Sequence, residues 1–443
     1  MKILIRNGLL LLPDGNGFRT EAGQIVVNEE RIEQVLTGEA TESLPETGYD
    51  KVIDASGRLV MPGLINAHTH AYMSIFRNYA DDLEFFEWLE KVQNVEDQLT
   101  IEDSYWASLL SIVEMIRTGT TCFVDMYMHS TRTGAVSGPE GAVSAAVNDS
   151  GIRAYLSRGM VGEAFDEGSK RRFGEFLPEL ELYRDHPRVH FLLGPHATYS
   201  CMPDLLKRIR DLGLEKKMGA TIHIAESEAE SSAIKEQYGV TPMQYVADSG
   251  LFDLPVIAAH CVNVTEEDIR LMKEHHVSAA INPRSNMKLG NGFAPAEAFL
   301  QAGINVCLGT DGSGSNNTQN MFQEMNMAGL VYKGAAKKAK CVDAQDVVRF
   351  ATTAGAKALG LEGKLGVIEE GALADLIILD LQVPQFVPRN DLVSALVYSA
   401  NGSEVRTVLI DGRIVMEEGK LLTLNEQEIY EHCEAIAKRT GMQ

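Results

Sequence analysis

The sequence predicts an α/β protein built on a closed parallel (β/α)8 barrel of the TIM type, with β-rich segments at both ends. Three observations carry this. Eight apolar, β-prone runs fall in the middle of the chain, helical stretches separate them, and short strands punctuated by turn residues occupy the ends. An open doubly wound sheet is the structural competitor, but no GxGxxG fingerprint follows the first run of the series.

The N-terminal strands are "KILIRNGLLLLP", "GQIVVNEERIEQVL" and "KVIDASGRLVMPG", divided by Gly, Asn and Pro as in an all-β module. The eight barrel runs follow: "RLVMPGLINAHTH", "TTCFVDMYM", "IRAYLSRGM", "RVHFLLGPHA", "GATIHIAE", "PVIAAHCV", "VSAAINPRS" and "NVCLGTDG". Between them lie helical segments such as "EDSYWASLLSIVEMIRTG" and "MPDLLKRIRDLGLEKK". Strands return in "GVIEEGALADLIILDL" and "VRTVLIDGRIVMEEGKLLT". The expected organisation is β-strands over 1–57, the barrel over 58–360, further β-strands over 361–425 and a helix over 426–443.

An apolar content of 45% and a charged content of 23% are those of a globular protein. The formal net charge of −22 argues against nucleic acid or an anionic membrane as partner, because phosphate contacts need a basic surface. The one basic cluster, "KGAAKKAK" from Lys333 to Lys340, reads as a solvated helix face. Six cysteines without CxxC spacing fit reduced thiols rather than a disulfide framework. The start, Met1-Lys2-Ile3-Leu4, leads into a strand-like run rather than a signal peptide. No apolar run reaches the roughly 20 residues of a membrane helix, so a cytoplasmic location is expected.

In a (β/α)8 barrel the active site forms at the C-terminal strand ends. Here those ends carry His68 and His70 on the first strand, His196 on the fourth, His223 and Glu226 on the fifth, His260 on the sixth and Asp311 on the eighth. His68 and His70 share one face of a strand, since alternate residues point the same way. One buried histidine is commonly a satisfied core residue; five of the eleven converging with a carboxylate are not. Imidazoles and a carboxylate suit Zn²⁺, and Fe²⁺ or Mn²⁺ are also accepted by such donors. Three histidines and one aspartate leave a position for water, whose pKa a metal lowers toward about 7. The fourth strand offers no lysine to bridge a second metal, so one ion is expected.

"PGLINAHTH", the pairing of His223 with Glu226, "AAHC" and "LGTDG" resemble, in that order, the motifs of the amidohydrolase superfamily. "FRNYADDLEFFEWL", "SNMKLGNGFAPA", "GTDGSGSNN" and "NGSEVRTVLIDGRIVMEEGKLLT" further resemble its 5-methylthioadenosine/S-adenosylhomocysteine deaminases, over about Lys2 to Glu426. The resemblance implies that the two β-rich ends form one small β-sandwich. It also implies hydrolytic deamination of an adenosine-type nucleoside, with metal-bound hydroxide attacking C6 and ammonia leaving. By motif, His68, His70, His223 and Asp311 would hold the metal. Glu226, His260 and Asp311 would be catalytic: a proton shuttle to ring N1, a hydrogen-bond partner of the attacking water that polarises the tetrahedral centre, and the water's base. The same centre acting on guanine, pterin, cytosine or an s-triazine is the alternative, because pocket loops select the ring.

For the substrate, the resemblance implies Glu96 on the ribose hydroxyls, Trp88 in the pocket wall, His196 on the purine, and Glu226 on the ring. Arg158 and a second arginine, Arg171 or Arg172, would pair with the amino-acid carboxylate of S-adenosylhomocysteine. A homo-oligomer is a further family expectation. The sequence departs from the family pattern at Ile281, where a histidine is usual, at Arg284, at Thr198 in place of a proline, and at Asn263. A glycine-rich loop over 129–141 is longer than usual. None of these departures touches a metal position.

Overall fold

A computed structural model describes residues 1–38, 44, 47–128 and 141–443. The loop expected over 129–141 therefore lies outside the described residues, Gly141 apart.

Both chain ends enter one sheet of nine strands. The N-terminal strands are Lys2–Asp14, Gly17–Asn28, Arg31–Thr37, Lys51–Asp54 and Arg58–Pro62. The C-terminal ones are Leu376–Asp380, Val405–Ile410, Arg413–Glu417 and Lys420–Leu421. The two groups meet where Arg58–Pro62 pairs antiparallel with Leu376–Asp380, so neither end completes the sheet alone. One face buries a separate apolar cluster that includes Ile3, Leu10, Ile25, Val60, Ile378 and Leu409.

The barrel strands, in order, are Leu64–Thr69, Thr120–Tyr127, Arg153–Met160, Val189–Phe191 with its continuation Gly194–Pro195, Ala220–Ile224, Val256–His260, Ser278–Ile281 and Val306–Leu308. Neighbours pair in parallel within two arcs. Parallel bridges from Leu193 to Ala220 and from Ala197 to His223 join the arcs on one side. On the other, the Asp311 N–H donates to the His68 carbonyl at 2.9 Å. The interior is filled by small or branched side chains, among them Ala67, Val124, Ile257, Ala280 and Cys307.

The run "RLVMPGLINAHTH", read as one barrel strand, is two. Arg58–Pro62 belongs to the terminal sheet and the barrel begins at Leu64, with Gly63 between them. A Cβ on Gly63 would lie 2.1 Å from Thr121 Oγ1, so only glycine lets the chain cross from sheet to barrel this closely. At the closing seam, a Cβ on Gly309 would lie 2.9 Å from the His68 backbone nitrogen. That glycine lets the eighth strand approach the first.

Sheet and barrel are also joined by a buried ion network that sequence reading did not find. Arg153, 2% exposed, pairs with Asp375 at 2.9 Å and Asp411 at 3.1 Å, and Arg188 reaches Asp411 at 3.3 Å. A buried pair of this kind is weak evidence for stability but strongly constrains which surfaces meet. After the first barrel strand a short 3-10 helix, Ala71–Phe76, and the helix Phe85–Glu96 reach over the strand ends. The C-terminal helix, Glu426–Arg439, packs on Ile101–Arg117, where His432 stacks on Trp106 with ring centres 3.7 Å apart. Among the described residues no helix is long and apolar enough to cross a membrane.

Candidate active site

Four strand ends converge on one point. His68 and His70 come from the first strand and the residue after it, His223 from the fifth, His260 from the sixth, and Asp311 from just beyond the eighth. All five side chains are buried. His68, His70 and His223 offer ligand atoms within 4.8 Å of one another, and so do His68, His260 and Asp311. His70 Nε2 lies 3.1 Å from His223 Nε2 and 3.4 Å from Asp311 Oδ1, which is 3.6 Å from His68 Nε2. Tetrahedral ligands held at about 2.0–2.1 Å from a zinc ion lie about 3.3 Å apart. The spacing fits.

The protons decide what this cluster is. His70 Nδ1–H donates to the Met126 carbonyl and His223 Nδ1–H to the His196 carbonyl, each at 2.5 Å. Both Nε2 atoms are therefore lone pairs, and they face each other at 3.1 Å. Burial pushes the His70 ring down to about 4, and burial with neighbouring imidazoles holds His223 well below the usual histidine range. No shared proton joins them at neutral pH. Two facing lone pairs repel unless a cation lies between, and among the described residues neither nitrogen of the buried His68 has a hydrogen-bond partner. The cluster is therefore built to hold a metal ion. Carbonyls that fix the tautomer of each ligand are the usual second layer of such a centre.

Asp311 has φ +63°, a left-handed conformation that aims its carboxylate inward. Its Oδ2 accepts the hydroxyls of Ser285 at 2.6 Å and Ser315 at 2.8 Å, and its Oδ1 accepts the Gly312 N–H at 2.8 Å. Burial opposes ionisation, but the imidazoles of His68, His260 and His70 hold the carboxyl well below its usual range. Glu226 behaves oppositely. Burial first, then the charges of Asp311 and Glu230, push it well above the carboxylate range, with only Asn291 opposing. The surroundings thus favour ionisation of Asp311 and oppose that of Glu226, the divergence that acid/base work needs.

An amidohydrolase family model matches residues 59–415. The chain belongs to the amidohydrolase family. The amidohydrolase is 42% identical over 441 residues to a 5-methylthioadenosine/S-adenosylhomocysteine deaminase from Caldanaerobacter subterraneus subsp. tengcongensis, covering 99% of this chain and 98% of the relative. Its fold superposes on a zinc-bound adenosine deaminase from Xanthomonas campestris with a TM-score of 0.91 and 29% identity, over 100% of this chain and 99% of the other. A zinc-bound atrazine chlorohydrolase from Arthrobacter aurescens shares the fold at a TM-score of 0.88 and 23% identity, over 98% and 99% of the two chains.

The amidohydrolase carries a cavity of about 80 Å³ above the metal site. It brings Trp88, Glu96, His196, Glu226, His260 and Asp311 onto common walls. Glu96 accepts the Tyr72 hydroxyl at 2.9 Å, and the Trp88 indole N–H donates to the Gly314 carbonyl at 3.0 Å. His196 bonds Ser200 Oγ through Nδ1 at 2.8 Å, and burial lowers its pKa to about 3, so the ring is neutral. An outer chamber of about 360 Å³ shares Glu96, Met128, His196 and Tyr199 with the inner one and continues to Arg171 and Arg172.

Arg158 is not in either lining. It is 1% exposed, and its guanidinium donates to the carbonyls of Tyr127 and Met128 at 3.2 and 2.8 Å and to Glu175 at 3.1 and 3.0 Å. Four of its five N–H groups are engaged by the protein, and through them it supports Met128 in the wall. Of the two alternatives for the second arginine, Arg171 pairs with Glu175 at 3.8 Å, whereas the buried Arg172 Nε has no hydrogen-bond partner among the described residues.

Sequence reasoning missed Glu230. Buried at 1% exposure, it accepts the N–H groups of Ala225 at 3.2 Å and Glu226 at 2.7 Å, together with the Thr198 hydroxyl. Thr198, a departure from the family pattern, thus supplies a donor that proline lacks. Asn263 donates to the Glu226 carbonyl at 3.4 Å. Ile281 is core, fully buried, and Arg284 turns to Asn316 Oδ1 at 3.1 Å beneath the Asp311 loop. An acid four residues after Glu226 on a capped helix start was the available signal for Glu230, but nothing in one sequence shows that it folds back.

Proposed function

We propose that this amidohydrolase is a hydrolytic deaminase of adenosine-type nucleosides: 5-methylthioadenosine, S-adenosylhomocysteine, adenosine or 5′-deoxyadenosine. The products are the inosine-type nucleoside and ammonia. What carries the reading is one cavity in which Glu226, whose ionisation is opposed, and Asp311, whose ionisation is favoured, share walls with Glu96, Trp88 and His196. The named relative at 42% identity supports the same substrate class.

His68, His70, His223 and Asp311 would hold one divalent ion, zinc by preference for neutral imidazoles and a carboxylate, with Fe²⁺ and Mn²⁺ also accepted. When bound, the metal supplies a water that ionises near neutral pH. Asp311 takes the proton of the attacking water. Glu226 delivers its own proton to ring N1 through Oε2, since Asn291 Nδ2 holds Oε1 at 3.2 Å, and protonation makes C6 electrophilic. His260 orients the water, His196 contacts the purine, and Trp88 closes the wall. Glu96, fixed by Tyr72, receives the ribose hydroxyls. The outer chamber takes the 5′ substituent, with Arg172 facing an amino-acid carboxylate.

The test is ammonia release from the four nucleosides alongside guanine and pterins. Turnover of guanine or a pterin, with none of any adenosine compound, would overturn the substrate class. A companion prediction separates the chambers. Arg172→Ala should raise KM for S-adenosylhomocysteine by about tenfold or more, the effect of losing one charge-assisted contact, while adenosine kinetics stay within about twofold. Equal losses on both substrates would place Arg172 outside the carboxylate contact.

A further inference from the structure

We propose that Asn282, Asn286 and Asn291 are positioning residues that set which atoms of His260 and Glu226 carry protons. The inference rests on the reaction proposed above for its kinetic consequence, but its structural core does not depend on the substrate. His260 ends the sixth strand, 1% exposed, with φ +73°. Its Nδ1 faces two side-chain amides, Asn286 Nδ2 at 2.9 Å and Asn282 Nδ2 at 3.3 Å. The Asn282 amide also stands 3.3 Å from the Ala280 carbonyl, which can only accept, so its NH₂ is the group presented there. His260 Nδ1 is therefore an acceptor, and the ring proton sits on Nε2.

That is the reverse of His70 and His223, whose Nδ1–H groups are held by carbonyls. The ligands show lone pairs to the centre; His260 shows an N–H. Among the described residues its Nε2 has no hydrogen-bond partner, and it lies 3.7 Å from Glu226 Oε2. An N–H there donates to the attacking water and is unsuited to binding a cation. The same segment also governs Glu226. The Asn286 carbonyl accepts the Asn291 N–H at 2.8 Å, and Asn291 Nδ2 donates to Glu226 Oε1 at 3.2 Å. Oε1 is thus engaged, and Oε2 is the oxygen free to carry the proton. One short segment after the seventh strand fixes both partners.

The experiment is ¹⁵N NMR of histidine-labelled, metal-free protein, with the His260 signals assigned by their loss in His260→Gln. The expected wild-type result is the Nε2–H form. Asn286→Asp presents an acceptor to Nδ1 and should move the proton there. Its kcat on the best nucleoside should fall about 100-fold or more, with KM within about threefold and metal content unchanged; a wrong catalytic tautomer elsewhere costs up to about 10⁴-fold. A wild-type His260 in the Nδ1–H form would overturn the proposal, as would Asn286→Asp with unchanged tautomer and kcat. If Asn286→Asp does not fold, the wild-type spectrum still decides. Absence of turnover on every adenosine compound would instead sink the substrate reading and leave the tautomer result standing.

Discussion

Glu226→Gln is expected to lower kcat by about 10²- to 10⁴-fold, the range for losing a positioned proton donor, with one metal per chain retained. The reasoning is geometric. Glu226 reaches no histidine of the metal cluster except His260, at 3.7 Å from its Oε2. Its backbone is anchored independently by Glu230 and Asn263. Glutamine has the shape of the protonated acid and keeps an oxygen for Asn291, but it cannot exchange a proton with ring N1. Because burial and neighbouring carboxylates disfavour the ionised form, a permanently neutral amide suits the site as well as the acid does. The thermal midpoint should therefore stay level. Activity assays, metal analysis and thermal melts check this together; metal loss in the variant would make Glu226 a ligand or support.

His223→Ala should abolish tight metal binding and cost about 10³-fold or more in activity, since a bound metal supplies several kcal/mol of transition-state stabilisation. His223 contributes one of the two facing Nε2 lone pairs, and the His196 carbonyl on its Nδ1–H holds the ring in place. Chelation of the wild-type protein should have the same effect and be reversed by zinc. His196→Ala is the control. Its backbone carbonyl, which fixes His223, survives the substitution, so metal content should hold while KM rises. If His223→Ala retains stoichiometric metal and near wild-type kcat, the ligand assignment fails. Chelation should also lower the thermal midpoint, because a ligand bound only by the folded state stabilises it by mass action.

The candidate metal and catalytic residues were legible because each sits at a strand end, where position along one short apolar run predicts place in space. His68, His70, His223, His260 and Asp311 all arrive together by that logic. Arg158 shows where it stops. A strand-end arginine in "YLSRG" looked ready for a substrate carboxylate, but two carbonyls and Glu175 reach it first. Ile281 stands where the family has histidine and is simply core. Glu230, Asn286 and Asn291 were missed because they act on the protons of other residues, and that information lies in angles and distances rather than in residue type.

By itself the sequence determined the eight-fold alternation of strand and helix, the β-rich ends, and the set of side chains carried to the barrel mouth. These follow from local periodicity and chain order, which any stretch of sequence displays. The tertiary structure alone decided that Gly63 divides one apolar run between sheet and barrel and that Arg153 ties the two together. It decided as well that Arg172, not Arg158, lines the outer chamber. Above all it decided which imidazole nitrogens are lone pairs and which is an N–H. A proton's place on a ring depends on what the other nitrogen touches, and that neighbour can be 56 residues away, as Met126 is from His70.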